Sequence, residues 1–505
     1  AQGFASSHQP VPQSSPCFPG GGRAVKQLPQ FDLPRYRTPV ILGLVLLSGC
    51  AAVGPNYQRP EVSLPPDYSE ASGEAVMTTA PVQRDWWRLF HDSTLDRLME
   101  QALSENQDLQ MAISRVEEAE ALVREAQSVF YPTVDLEAGQ TRTRSAKTVT
   151  SSPVVQNTNV LVLSTAFELD VWGKLRRANE AALAQALATR YARDTVQLSI
   201  AGLVSNSYLA LRAYDAQLAV TVATIESREG SLDIVRNRVD AGLTPPLDLH
   251  QAEGSLAAAK AQLATLRRQR ALVEHQLGVL TGDPGLTIAP GDLNHLPVPP
   301  VPPPGLPSQL LEARPDIQQA EQELVAANAE IGVAKAAYYP TISLTGTLGT
   351  QSPELSNLFT SPANLWSLGW GLVTPVFEGG RISAQVDQVT AHRQQVVANY
   401  RKTVQTAFQE VNDALVSLRE SANGEQAEAE QVAAAKKALD LAKIRYDAGY
   451  SSYLEVLDSE RTVNEALLSY IATRQTRLTA AVDLFKALGG GWEGEFAQTA
   501  TAASS

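Results

Sequence analysis

Arg445-Tyr-Asp-Ala-Gly449, followed by Leu454-Glu-Val-Leu-Asp458 and Glu460, repeats Arg238-Val-Asp-Ala-Gly242, followed by Leu247-Asp-Leu249 and Glu253, at an offset of 207 residues. The same offset carries Gly173-Lys-Leu175 onto Gly380-Arg-Ile382, and an offset of 208 carries Tyr131-Pro-Thr-Val134 onto Tyr339-Pro-Thr-Ile342. Solenoid repeats run to about 20–50 residues, so a period this long means an internal duplication, two related halves of one body.

Each half changes hydrophobic period twice. After Tyr131-Pro132 ends a helical pattern, Val134, Leu136 and Ala138 alternate with Thr133, Asp135 and Glu137, and beyond a polar turn Leu161, Leu163, Thr165, Phe167 and Leu169 alternate with Val162, Ser164, Ala166 and Glu168. The second half repeats this with Ile342, Leu344, Gly346 and Leu348, then Trp366, Leu368, Trp370 and Leu372. Two hairpins follow, at about 132–171 and 340–377. Each arm has room for the roughly 9–11 residues that a tilted strand needs to cross a membrane. A pair of hairpins in a soluble sheet would carry the same alternation.

Past Gly173 and Gly380 the sequence predicts long helices over 174–241 and 381–448, with no proline inside either. At 1.5 Å per residue each is about 100 Å long. Val204, Leu211, Leu218, Ile225, Leu232 and Val239 recur at sevens, and Val411, Leu418, Val432, Leu439 and Tyr446 match them with Glu425 as a charged exception. Sustained heptads argue coiled-coil packing. Return helices are predicted over 245–281 and 452–488, their series interrupted at corresponding places by Arg270 and Arg477. The halves are thus 92–282 and 314–491, joined by a Pro-rich equatorial connector over 283–313; a disordered tail is expected over 492–505.

Residues 1–49 read as an upstream segment and a signal peptide: Lys26, Arg35 and Arg37 precede the apolar run Pro39–Leu47. Leu47-Ser-Gly-Cys50 resembles a bacterial lipobox, which makes Cys50 the candidate lipidated residue and 50–91 a lipid-anchored extended segment; an ordinary signal peptide with an incidental cysteine is the alternative. Net charge is -13 with no basic stripe, which gives a nucleic-acid partner little electrostatic support. The only cysteines are Cys17 and Cys50, so no disulfide framework holds the body. The six histidines, at 8, 91, 250, 275, 295 and 392, lack metal-ligand spacing, and no phosphate loop or nucleophile elbow occurs. The reading is therefore of a non-enzymatic protein without metal or cofactor.

Four membrane-length strands cannot close a barrel alone, and open edges are not tolerated in lipid. Two chains would give a narrow, filled barrel and three would give twelve strands around an open lumen. The sequence resembles the TolC-like outer-membrane factors, within them the lipoprotein branch that serves RND-type tripartite efflux pumps. The resemblance rests on Leu47-Ser-Gly-Cys50, Leu306-Pro-Ser-Gln-Leu-Leu-Glu-Ala-Arg-Pro-Asp-Ile317, Ala336-Ala-Tyr-Tyr-Pro-Thr-Ile-Ser-Leu344, Thr406-Ala-Phe-Gln-Glu-Val411 and Lys486-Ala-Leu-Gly-Gly-Gly-Trp492. It implies an α+β membrane protein: a homotrimeric twelve-stranded outer-membrane β-barrel, four strands per chain, continued into the periplasm by a long α-helical coiled-coil barrel. It also implies an exit duct partnered by a periplasmic adaptor and an inner-membrane RND-type pump, passing small amphiphilic compounds or drugs. A duct for type I protein secretion and a periplasmic coiled-coil scaffold lipoprotein are the alternatives.

Under this resemblance Arg238, Gly242, Leu243, Arg445, Gly449 and Tyr450 form adaptor-docking tips, and Arg445, Tyr446, Leu454, Glu455 and Asp458 fall at the periplasmic gate. Threefold rings of carboxylates there would favour cations, and Arg445 would pair with Asp458 across neighbouring helices. A solvated helix face near an N-terminus is the plainer reading of Glu455 and Asp458.

Overall fold

The computed structural model describes residues 52–69, 82–146, 154–300, 302 and 307–492. Two short helices, α1 (Ser93–Glu105) and α2 (Gln107–Ser128), lead into a hairpin of β1 (Thr133–Arg144) and β2 (Val155–Leu169). The long helix α3 (Lys174–Asp240) and the return helix α4 (Pro246–Leu280) complete the first half. The second half follows with α5 (Pro315–Ala336), β3 (Thr341–Ser352), β4 (Asn364–Val373), α6 (Arg381–Asp447) and α7 (Tyr453–Ala487). The duplication is metric as well as sequential, since α3 and α6 are both 67 residues long and α4 and α7 both 35.

Local chemistry sets the ends. Asp92 caps α1, its carboxylate accepting from the Thr94 and Leu95 amides, and Asn106 caps α2 in the same way. Gly173 and Gly380 open the long helices at φ 79° and 87°, in the left-handed region that glycine occupies without a Cβ clash. At the far ends Leu243 N–H donates to Arg238 O and Tyr450 N–H to Arg445 O, with Gly242 and Gly449 at positive φ. Both are Schellman turns, which satisfy the last helical carbonyls.

The sheet is an antiparallel meander in the order β1-β2-β3-β4, so the two hairpins pair through β2 and β3. Register decides what it presents. Leu136 lies opposite Leu163, Leu163 opposite Leu348 and Leu348 opposite Trp366; directly opposed side chains share a face. Leu161, Phe167, Leu344, Leu368, Trp370 and Leu372 fall on that same apolar face. The opposite face carries Asp135, Glu137, Ser164, Thr345, Thr347, Ser343 and Ser367.

Two hydrophobic clusters run down the helices. The larger gathers Trp86, Phe90, Val204, Leu211, Leu277, Val411, Leu418 and Leu484 with Ile288, Leu293 and Leu296 of the connector. The smaller joins Ile225, Leu232, Leu256, Tyr446, Tyr453 and Val456 near the helical turns. Heptad residues from all four long and return helices are among their members, as knobs-into-holes packing requires, while Leu218 and Val432 belong to neither.

The segment after residue 51 lies along the body. Val53 N–H donates to Trp172 O at 2.9 Å beside the end of β2, Tyr57 and Arg59 both bond Glu321, and Tyr68 stacks on Phe408. Trp492 is anchored as well, its indole N–H donating to Asp194 at 3.0 Å and its ring edge-on to Tyr191. It therefore does not belong to a disordered tail. Residues 493–505 lie outside the described residues, as do Cys50 and the signal-peptide segment before it.

Candidate functional site: an open-edged sheet and two helical tips

Two regions carry what a duct needs. The first is the sheet. Trp366, Leu368 and Trp370 are 78%, 83% and 75% exposed on its apolar face, which water would not tolerate as a contiguous patch. Among the described residues no helix is long and apolar enough to cross a membrane. The apolar face belongs against lipid, the Ser/Thr/Asp/Glu face against water. Among the described residues the outer edges of β1 and β4 are unpaired, and unpaired backbone groups in hydrocarbon cost several kcal/mol each. Sealing them takes further copies of the chain, and three would give twelve strands.

The second region is the pair of tips, about 100 Å away along α3 and α6. Leu243, Leu247, Tyr450 and Leu454 stand there exposed. Arg238 spans the two halves: its guanidinium lies 4.5 Å from the Tyr446 ring centre, and one nitrogen reaches Asp447 at 3.5 Å. Tyr446 packs against Tyr453, ring centres 5.4 Å apart, and is itself buried within the subunit. Burial, with Glu460 and Tyr446 beside it, pushes the Tyr453 phenol up to about 12.

The expected pairing of Arg445 with Asp458 is not the one formed. Arg445 Nε lies 3.2 Å from Glu455, and Asp458 pairs at 2.7 Å with Arg461 one helical turn on. On α7 the i,i+3 spacing puts Arg461 within reach of Asp458 before any other helix is involved. Leu454, Leu457 and Asp458 also line, with Ser255, Ala258 and Gln262 of α4, an open groove of about 500 Å³.

Sequence reasoning passed over a third cluster. Asp215 receives Arg270 at 2.6 Å and Arg212 at 3.1 Å, and these arginines also donate to the Ile288 and Ala289 carbonyls of the connector. Glu425 receives Arg474 and Arg477 at 2.6 and 2.8 Å, and Arg474 donates on to Leu296 O. Burial pushes the Glu425 carboxyl up, but the bonds from Arg477 and Arg474 outweigh it and hold the group below its ordinary range. The signal was present: Glu425, Arg270 and Arg477 are the charged residues that interrupt the heptads.

Residues 98–283 and 306–490, one stretch in each half, match the family described as Outer membrane efflux protein. The chain belongs to that family. It is 34% identical over 474 residues to the solvent efflux pump outer membrane protein SrpC of Pseudomonas putida, covering 91% of this chain and 99% of that one. Outer membrane protein OprJ of Pseudomonas aeruginosa is likewise 34% identical over 471 residues, with 91% and 97% covered. The solved structure of the outer-membrane channel OprN superimposes with a TM-score of 0.83 at 29% identity, over 87% of this chain and 99% of that one. An outer membrane efflux protein places the two-faced sheet in the bacterial outer membrane, as part of a twelve-stranded trimeric barrel, and the helices in the continuing helical barrel.

Proposed function

We propose that three copies of this chain form the exit duct of a tripartite efflux system. Small amphiphilic compounds would pass from a periplasmic adaptor and an RND-type inner-membrane pump to the exterior. The observation that carries this reading is the single sheet register that separates a lipid face from a polar face while leaving both edges open. Relatives named as solvent, toluene and antibiotic efflux pump outer membrane proteins support the cargo class.

The tips take the partner-facing role. Gly242 and Gly449 shape the turns, Leu243 and Tyr450 offer apolar surface, and Arg238 and Arg445 supply charge for adaptor docking. Leu454, Glu455 and Asp458 with Arg445 and Tyr446 form the periplasmic gate, where three symmetry copies of each carboxylate favour cations over anions. Cys50, in the lipobox-like Leu47-Ser-Gly-Cys50, carries the lipid.

Conductance of the purified full-length trimer in planar bilayers tests the duct. Discrete channels in the parent, larger in Asp458→Ala/Tyr446→Ala, are expected. A water-soluble monomer without conductance after removal of any lipid would defeat the reading. For Cys50, intact mass of the membrane-extracted protein should show acyl groups that Cys50→Ser lacks.

A further inference from the structure

The duplication contains a prediction about the join between subunits. Offsets of 208 for the first strand of each hairpin and 207 for the second carry Thr133↔Ala166 onto Thr341↔Val373, and Arg142↔Asn157 onto Thr350↔Asn364, which are the pairs observed. The rule therefore reproduces one hairpin's register from the other. The β2–β3 pairing joins the halves inside the chain; the join between chains is the only place left where β4 and β1 can find partners. Applied to β2–β3, the same offsets carry Leu161↔Thr350 onto Leu368 and Arg142 of the partner subunit, and Leu163↔Leu348 onto Trp370 and Gln140 of the partner subunit.

Two further observations agree with this register. Val376, at 93% the most exposed large apolar residue among the described ones, acquires a strand partner, Val134 of the partner subunit. The close pair Val162↔Gly349, where a Cβ on the glycine would meet Leu161 O at 2.2 Å, becomes Gly369 against Thr141 of the partner subunit. One member is again glycine, with the roles exchanged.

We propose that the subunit seam is fixed in this register, and that Arg142 of the partner subunit lies between Trp366 and Trp370 on the outer face, with Arg144 of the partner subunit opposite Trp366. In an antiparallel pair the diagonal neighbours are about 7–8 Å apart, within reach of aromatic and long side chains. An arginine there meets tryptophan faces that are otherwise exposed, and cation–π attraction favours that contact within about 6 Å of a ring centre. The site is incomplete in one chain, because each copy supplies the tryptophans of one seam and the arginines of the next.

The proposal rests on the trimeric barrel and not on what passes through it. The test uses full-length protein in isolated outer membranes, with the parent chain as the baseline for its native cysteines. Residues directly opposite lie about 4.5–5.5 Å apart, inside the range a disulfide bridges, and a shift of two residues leaves it. Oxidised Gly369→Cys/Thr141→Cys should yield covalent trimers at least tenfold faster than Gly369→Cys with either Gly139→Cys or Thr143→Cys. Equal or faster linking in either control overturns the register. Failure of all three to link while each single variant remains trimeric overturns it too. For the arginine, Arg142→Ala and Trp366→Leu should each lower the temperature at which trimers dissociate in SDS, and together by no more than the larger single drop. A fully additive drop overturns the contact while leaving the register standing.

Discussion

The equatorial clamp and the periplasmic tip use the same side chains to opposite ends. At the equator Asp215 and Arg212 are 2% and 7% exposed and pair with each other, while Arg212 donates to the Ala289 carbonyl and Asp215 accepts from the Gly291 N–H of the connector. At the tip Arg445 and Glu455 are 57% and 43% exposed, and Asp458 and Arg461 about as open. Exposed pairs contribute about 0–1 kcal/mol, while stripping one partner from a buried pair costs about 3–5 kcal/mol. Burial, more than charge, separates the packed equatorial network from the solvated pairs of the tip.

The comparison breaks most directly at Asp215. Asp215→Ala leaves Arg212 and Arg270 buried beside the connector without their carboxylate, and should destabilise the trimer by about 3–5 kcal/mol, read as a lower melting temperature in detergent. If the loss is as small as at the tip, burial is not what distinguishes the two regions. Glu425→Gln comes next: it keeps the shape but weakens two charge-assisted bonds, each contributing about 1.5–3 kcal/mol. The folded Glu425 carboxyl is held below its ordinary range, so its contribution is fully present above the unfolded value of about 4.3 and is lost as pH falls through the folded one. Melting of parent and variant should therefore differ at neutral pH and converge as pH falls through the folded value. Gly449→Ala is smaller. A Cβ there meets no atom within 4 Å, so only the backbone at φ 78° resists, at about 1–2 kcal/mol.

The sheet was legible because period two is unforgiving: one slipped residue would send Trp366 and Trp370 to the polar face. The duplication was legible because two glycine turns bear the same sequence. What spacing could not give was lateral contact. Heptads identify which residues face a neighbouring helix, not which neighbour, so Arg270, Arg477 and Glu425 read as interruptions until the connector was seen to lie against them. Arg445 likewise pairs with Glu455 on the next helix, which spacing does not name, whereas the Asp458–Arg461 bond is an i,i+3 pair that the sequence already offered. Tyr446 belongs to both levels: its heptad position marks it as packed, and its burial against Tyr453 places it inside the subunit.

The smallest stability effect is the most informative about the proposed gate. Arg445→Ala removes the exposed bond to Glu455, and Asp458→Ala releases Arg461, which keeps Glu465 at 3.0 Å. Neither change should alter stability by more than about 1 kcal/mol per chain, roughly the ceiling for an exposed pair. Yet each occurs three times around one axis, and a conformational equilibrium responds to the summed difference between its states. Three bonds of about 0.5 kcal/mol lost together shift an open-to-closed ratio by roughly tenfold, since about 1.4 kcal/mol is a factor of ten. Single-channel recordings of Arg445→Ala should thus show a severalfold rise in open probability with unchanged melting. A melting temperature that falls with no change in conductance would make the pair part of the scaffold, and the tip would then differ from the equator only in degree.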